Sequence, residues 1–359
     1  MCHPIFGSQI APEPTGDQQM KIYKCDAHLE HQSKVELTPG RFIPTLDVAE
    51  RTSAVLDVLR QAGHTDVLDC APASKVDLRT IHSADYLDFL ATAWDEWSSS
   101  FGTELDGVGF VWPHRNRPPR CPSAIEGKIA YYMFDGVSTI TPAMWPATLG
   151  AAGASLQAAG DLRVAGLPGL VLARPPGHHA CWNMGGGTSY TNHTALAAQE
   201  LTRDGARVAI LDIDAHHGNG SQDIFWTRSD VLSISLHADP AVDYPYFSGY
   251  ADEIGADAGE GFNLNLPLQP GTDWSGYSEG LTTALERLHD YSPDYMVVAL
   301  GVDSYAKDPA GRLALELADF NRIGEAVASL GRPHMFVLEG GYCLDAIGRC
   351  VLNVVAPGG

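Results

Sequence analysis

Four short apolar runs in this chain each stop at a cluster of ionisable residues. Leu170-Val-Leu-Ala runs into Arg174-Pro-Pro-Gly-His178-His179, and Val208-Ala-Ile-Leu into Asp212-Ile-Asp214-Ala-His216-His217-Gly-Asn219-Gly. Tyr295-Met-Val-Val-Ala-Leu-Gly runs into Val302-Asp303, and Met335-Phe-Val-Leu into Glu339-Gly-Gly-Tyr342. Short β-branched runs alternating with helical stretches read as parallel strands buried on both faces. The predicted class is therefore α/β: an open parallel sheet flanked by helices, joined by right-handed crossovers. Ligands of such sheets bind beyond the carboxyl ends of the strands, where all four clusters fall.

Met20-Lys-Ile-Tyr starts the first predicted strand, and residues 1–19, with Gly7, Pro12, Pro14 and Gly16, read as a mobile extension. Residues 20–359 read as a single catalytic domain. Helical spacing is expected over 46–62, closed by Gly63, and over Ile81 to Trp97. Thr194 to Arg203, Ser221 to Trp226, Trp274 to His289 and Leu317 to Leu330 are further predicted helices. Residues 98–124, rich in Ser, Gly and Pro, read as a long loop, and a loop of that length is usually functional or an interface. Residues 239–262 are loop-rich as well.

A chain of 359 residues is normal for one α/β domain with long loops, and 45% hydrophobic content is enough to fill its core. No run nears the roughly 20 apolar residues of a membrane helix, and no secretory leader is expected. Seven cysteines without a C-x-x-C pair point to free thiols and a cytoplasmic setting. A formal net charge of −21 argues against nucleic acid. It suits a cationic small molecule, although solubility explains an acidic surface more simply.

On an extended segment alternate residues face one way, so Asp212, Asp214 and His216 approach one region, joined by Asp303 from another strand end. Two carboxylates and an imidazole leave positions open on a divalent ion, as catalytic sites do. Zinc (Zn2+) is the first choice, and ferrous iron (Fe2+) uses the same donors. His178 and His179 sit on a turn stiffened by Pro175, Pro176 and Gly177. Adjacent side chains on a turn diverge, so the pair is expected to flank one substrate and to supply the base that activates water. Asp212 and Asn219 are the candidate acceptors that fix their tautomers. Gly340 and Gly341 let Tyr342 come close, where a phenol can donate to a developing oxyanion.

These residues, in this order, resemble the histone deacetylase and acetylpolyamine amidohydrolase superfamily, from about Lys21 to near the C-terminus. The prokaryotic acetylpolyamine amidohydrolases are the most similar branch, on tracts such as Ile81-His-Ser-Ala-Asp-Tyr and Ile125-Glu126-Gly-Lys-Ile-Ala-Tyr-Tyr. The resemblance implies an arginase-deacetylase fold in which Asp214, His216 and Asp303 bind zinc. His179 would be the main general base, His178 the acid or electrostatic partner, and Tyr342 would polarise the scissile carbonyl. Asp212, Asp214, His216 and Ser235, with the Leu236 backbone, would surround a structural potassium ion (K+). The carbonyls of Phe225, Arg228 and Val231 match a second one. The loop at 98–124 would build a homodimer and narrow the mouth, near which Glu126 would receive a distant ammonium. One departure concerns the tract after the tandem histidines, usually Gly-Gly-Tyr/Phe-Cys-Phe-x-Asn-Asn and here Gly186-Gly187-Thr188-Ser-Tyr-Thr-Asn192-His193. Gly187 and Thr188 line the implied tunnel, with Tyr244 as the opposing wall. Thr188 in place of an aromatic wall should widen it. His193, where the family has Asn, reads as a packed residue at a helix start.

The expected function is zinc-dependent hydrolysis of a small N-acyl amide, with acetylpolyamines as the first substrate class. Another small amide, including a xenobiotic N-alkyl amide, is the alternative that Thr188 raises; protein acetyl-lysine ranks below it. A binuclear manganese hydrolase would need an Asp-x-x-x-Asp set that is missing here. A non-catalytic sensor would be expected to lack Tyr342 or a ligand.

Overall fold

The computed structural model describes residues 20–39, 41–114, 116 and 118–358; the expected extension at 1–19 lies outside them. In chain order the strands are β1 (Lys21–Lys24), β2 (Glu36–Thr38), β3 (Arg41–Ile43), β4 (Val67–Asp69), β5 (Gly169–Val171), β6 (Val208–Asp212), β7 (Val231–Ala238), β8 (Asn263–Leu268), β9 (Tyr295–Leu300) and β10 (His334–Leu338). The α-helices are α1 (Glu50–Gln61), α2 (Lys75–Leu78), α3 (Ala84–Phe101), α4 (Ile125–Tyr132), α5 (Met144–Ala165), α6 (His193–Leu201), α7 (Asn219–Phe225), α8 (Trp274–Tyr291), α9 (Leu317–Ser329) and α10 (Ile347–Val355). β2 and β3 pair antiparallel, while the other strands form one parallel sheet in the order β4-β1-β5-β10-β9-β6-β7-β8.

The strands are apolar throughout because both faces of the sheet are covered. Val208 and Ile210 of β6 pack with α3, α5 and α6, whereas Ala209 and Leu211 pack with α1, α8, α9 and α10. Each fully buried Val, Leu or Ile in these layers contributes ~1.5–3 kcal/mol. Helix ends follow local chemistry. The Asn192 side chain accepts from Ala195 N–H at 2.7 Å to start α6, and Gly63, at φ +94°, follows α1.

Two of the departures from the sequence expectation concern helices. Ser98, Ser99 and Ser100 stay helical, so the irregular segment begins at Gly102. The Ser98 and Ser99 hydroxyls both donate back to the Asp95 carbonyl, which satisfies them inside the helix. Helix α5, 22 residues long, was not expected. It is Ala- and Gly-rich and buried along most of its sides, so it carries no apolar stripe for periodicity to reveal. A Cβ at Gly153 would lie 2.0 Å from the Ala71 carbonyl oxygen, so this helix packs against backbone.

For function, the sheet order is the decisive feature. β5, β10, β9 and β6 are neighbours at its centre, and each of the four ionisable clusters follows one of them. Among the described residues, no helix is long and apolar enough to cross a membrane.

Candidate metal centre and active site

Beyond β6, His216 Nδ1 lies 3.2 Å from Asp214 Oδ1 and 2.9 Å from Asp303 Oδ2, which arrives from the segment after β9. Donor atoms of these three residues all lie within 4.8 Å of one another. Backbone amides aim the carboxylates: Ala215 N–H donates to Asp303 Oδ1 at 2.8 Å, and Gly340 N–H to Asp214 Oδ2 at 2.8 Å. The approach of His216 to Asp303 Oδ2 lacks the direction of a hydrogen bond, so that buried oxygen has no hydrogen-bond partner. Glycine is required alongside. A Cβ at Gly340 would sit 2.5 Å from Asp214 Oδ2 and 2.6 Å from Asp303 Oδ2.

Burial, followed by the charge of Asp214, raises the Asp303 pKa. Burial opposes charge on His216, yet the Asp303 and Asp214 carboxylates outweigh it and raise that pKa well above the usual range. A cluster that strains to keep protons in this way fits a divalent cation. Its N and O donors suit Zn2+ or Fe2+ and leave coordination positions open. Since the cation must displace those protons, its apparent affinity is expected to fall as pH drops from neutrality, about tenfold per unit for each proton displaced. Metal titration by calorimetry in buffers of different pH checks this; a pH-independent affinity would contradict it.

The tandem histidines are held by groups at the ends of β10 and β6 and at the start of α7. Gly177 N–H and His178 N–H donate to Glu339 Oε2 at 2.6 and 3.0 Å, and Thr194 Oγ1 donates to Glu339 Oε1 at 2.7 Å. His178 Nδ1 lies 2.9 Å from Asp212 Oδ2, and His179 Nδ1 lies 2.7 Å from Asn219 Oδ1. Both acceptors belong to the β6–α7 segment and draw the rings the same way. The expected divergence is therefore not seen: the ring centroids are 4.0 Å apart with planes tilted by 45°.

The two rings differ in basicity. Burial disfavours charge on His178, but the carboxylates of Asp214 and Asp212 overcome it and raise its pKa to about 10. Burial, then the neighbouring His178 and His216, push His179 well below the usual imidazole range. Asn219 Nδ2 points at the His179 carbonyl (3.4 Å), which leaves its Oδ1 for the ring. His179 thus donates from Nδ1 and keeps a lone pair on Nε2.

Tyr342 follows Gly341, whose φ of +121° is closed to ordinary side chains. Burial raises the phenol pKa well above its usual value; Arg51 pulls it down, while Asp303 and Asp214 add to the rise. The guanidinium of Arg51 lies 4.7 Å from the Tyr342 ring centroid. Arg51 is fully buried, donates to the Gly341 carbonyl at 2.6 Å and to the Glu339 carbonyl, and pairs with Asp47. The sequence reading missed Arg51 and the anchoring role of Glu339. A signal for Arg51 existed, because it shares the buried face of α1 with Val55 and Leu59.

The Tyr244 ring stands edge-on to His179 at 5.0 Å and to His216 at 6.0 Å. Its hydroxyl donates to Asp135 Oδ2 at 2.6 Å, which also accepts Gly187 N–H at 2.7 Å. Asp135, also missed, ties the Tyr244 hydroxyl to the Gly187 turn. A Cβ at Gly187 would lie 2.3 Å from the His179 ring, so this turn rests directly on the imidazole. Thr188 takes φ +62° and folds its hydroxyl back onto the Gly187 carbonyl at 2.6 Å. His193 is fully buried at the first position of α6.

Glu126, on α4, is not among these residues. It lines a separate cavity of about 860 Å3 with Phe110, Trp112, His114, Arg120 and Tyr131. Of the residues implied for potassium, Asp212 pairs in register with Ser235 of β7, next to Leu236. Phe225 ends α7, its carbonyl accepting from Arg228 N–H at 2.9 Å, and Val231 begins β7.

Fold and site together fit a metal-dependent hydrolase, and the comparisons with known proteins give that class. The family model for the histone deacetylase domain matches residues 46–357. The chain is 40% identical over 337 residues to acetylpolyamine amidohydrolase 2 of Pseudomonas aeruginosa, covering 94% of this chain and 97% of that one. It is 39% identical over 338 residues to the acetylpolyamine amidohydrolase of Mycoplana ramosa, covering 94% and 98%. The crystal structure of an acetylpolyamine aminohydrolase from Burkholderia pseudomallei superposes with a TM-score of 0.87 at 32% identity, covering 93% and 97%. The chain belongs to the histone deacetylase family, has the arginase-deacetylase fold, and is a hydrolase acting on amide bonds.

Proposed function

We propose that this protein is a zinc-dependent amidohydrolase that removes the acyl group from small acetylated amines, acetylpolyamines first among them. The observation that carries this is His179, locked in the tautomer with Nε2 free, beside a buried three-donor metal cluster. Asp214, His216 and Asp303 would hold the ion, which supplies a Lewis acid for the amide carbonyl and lowers the pKa of water. His179, kept neutral, takes a proton from the attacking water. His178, protonated and fixed by Asp212, gives a proton to the departing amine. Tyr342, kept as a phenol, donates to the carbonyl oxygen as it gains charge. Hydrolysis of acetylated putrescine or spermidine, with metal analysis of the same sample, tests the reading. No turnover of these amines by zinc-loaded protein would remove the substrate assignment.

The polyamine assignment draws on the relatives' names and the net charge of −21; Glu126, in its separate cavity, does not contribute to it. Thr188 favours a second reading, a bulkier small amide, because a small side chain stands at the sequence position where the resemblance implies an aromatic tunnel wall. Thr188→Tyr is expected to shift kcat/KM toward acetylpolyamines over bulkier amides by ~10-fold, the scale of one lost aromatic contact. An unchanged ratio would show that residue 188 does not shape the pocket.

The remaining assignments belong to the same reading. Asp212, Asp214, His216, Ser235 and Leu236 would hold one potassium ion, and Phe225, Arg228 and Val231 a second. Homodimerisation through the loop after α3 is supported by its exposed apolar residues Leu105, Phe110 and Val111.

A further inference from the structure

The structure assigns Asp308 to the same reaction as a positioning residue that holds the Tyr342 turn; this rests on the proposed role of Tyr342 as carbonyl donor. Asp308 lies five residues after Asp303, on a loop folded tightly back on itself. Tyr305 N–H donates to the Val302 carbonyl, and Asp308 N–H to the Tyr305 carbonyl. A Cβ at Gly311 would sit 1.8 Å from the Asp303 carbonyl oxygen, so the returning chain presses on the metal-ligand residue itself.

This folding delivers the Asp308 carboxylate to the Tyr342 turn. Its Oδ2 accepts two successive amides, Tyr342 N–H at 2.6 Å and Cys343 N–H at 2.9 Å, and its Oδ1 accepts Ala310 N–H at 3.0 Å. Asp308 is only 9% exposed, so these charge-assisted bonds are shielded from water. On the other side, Arg51 binds the carbonyls of Glu339 and Gly341. The turn is thus clamped between a cation on its carbonyls and an anion on its amides.

The clamp is needed because Gly340 and Gly341 leave the backbone loose. A phenol that must meet a developing oxyanion gains nothing from a loose support, and a misplacement of ~1 Å costs about 10²-fold. Asp308 therefore sets where the phenol stands. Through the Asp303 loop, it sets that place relative to the metal cluster.

The test is a double-mutant cycle on the zinc-loaded enzyme. Asp308→Asn keeps an acceptor oxygen but loses the charge. It is expected to lower kcat by ~10- to 100-fold, with KM and bound zinc unchanged. In a Tyr342→Phe background the same substitution is expected to cost little more. Equal losses in both backgrounds would overturn the proposal, because a general folding role does not depend on the phenol. So would an unchanged kcat. If Tyr342→Phe alone leaves kcat intact, the donor role of Tyr342 fails first, and that single variant shows it. Asp308→Glu, if folded, is expected to recover part of the rate.

Discussion

Asp303→Ala is expected to lose its metal and all measurable hydrolysis. Asp303 is fully buried, and its Oδ2 has no hydrogen-bond partner of its own. Without it the proposed ion would keep only Asp214 and His216 among the protein donors. Changing a group that merely orients a ligand typically costs about 10–100-fold in metal affinity, and loss of a ligand costs more. Elemental analysis and activity, measured on one preparation, check the outcome. Full metal retention would remove Asp303 from the ligand set.

Tyr342→Phe is expected to keep the metal and lose turnover. The phenol is not among the three converging donors, so metal content should match the unaltered protein. Removing one donor to a developing oxyanion costs ~10²–10³ in kcat, about 2.7–4 kcal/mol. KM should change little, because the bond strengthens only as the carbonyl oxygen gains charge. Since burial holds the phenol protonated, the deficit should persist across the neutral pH range. An unaltered rate would end the donor role.

Much of this was legible in the linear order of residues. The four runs became central strands because β-branched, doubly buried segments have few other solutions. The close spacing of Asp214 and His216 was legible, but β6 ends at Asp212 and the bend beyond it, not strand alternation, brings the two together with Asp303. Helix α5 was not legible, because a helix buried on most sides loses the apolar–polar contrast that reveals a period. Asp135, Asp308 and the anchoring part of Glu339 were not legible either. Their bonds go to backbone amides or to partners far along the chain, such as Asp135 to Tyr244 and Glu339 to Gly177.

The sequence alone determined which donors exist and at which strand ends, the set on which the proposed divalent ion and histidine base rest. Only the tertiary structure decided how that chemistry is held. It placed β10 and β9 between β5 and β6, so Glu339 reaches the histidine turn, and it turned both imidazoles toward one segment. It also left Glu126 in a cavity apart from the metal cluster. The reason is physical. Side-chain type follows from local order, whereas the neighbours that set orientation and pKa come from contacts between segments distant in the chain, from 34 residues apart for His178 and Asp212 to 162 for Gly177 and Glu339.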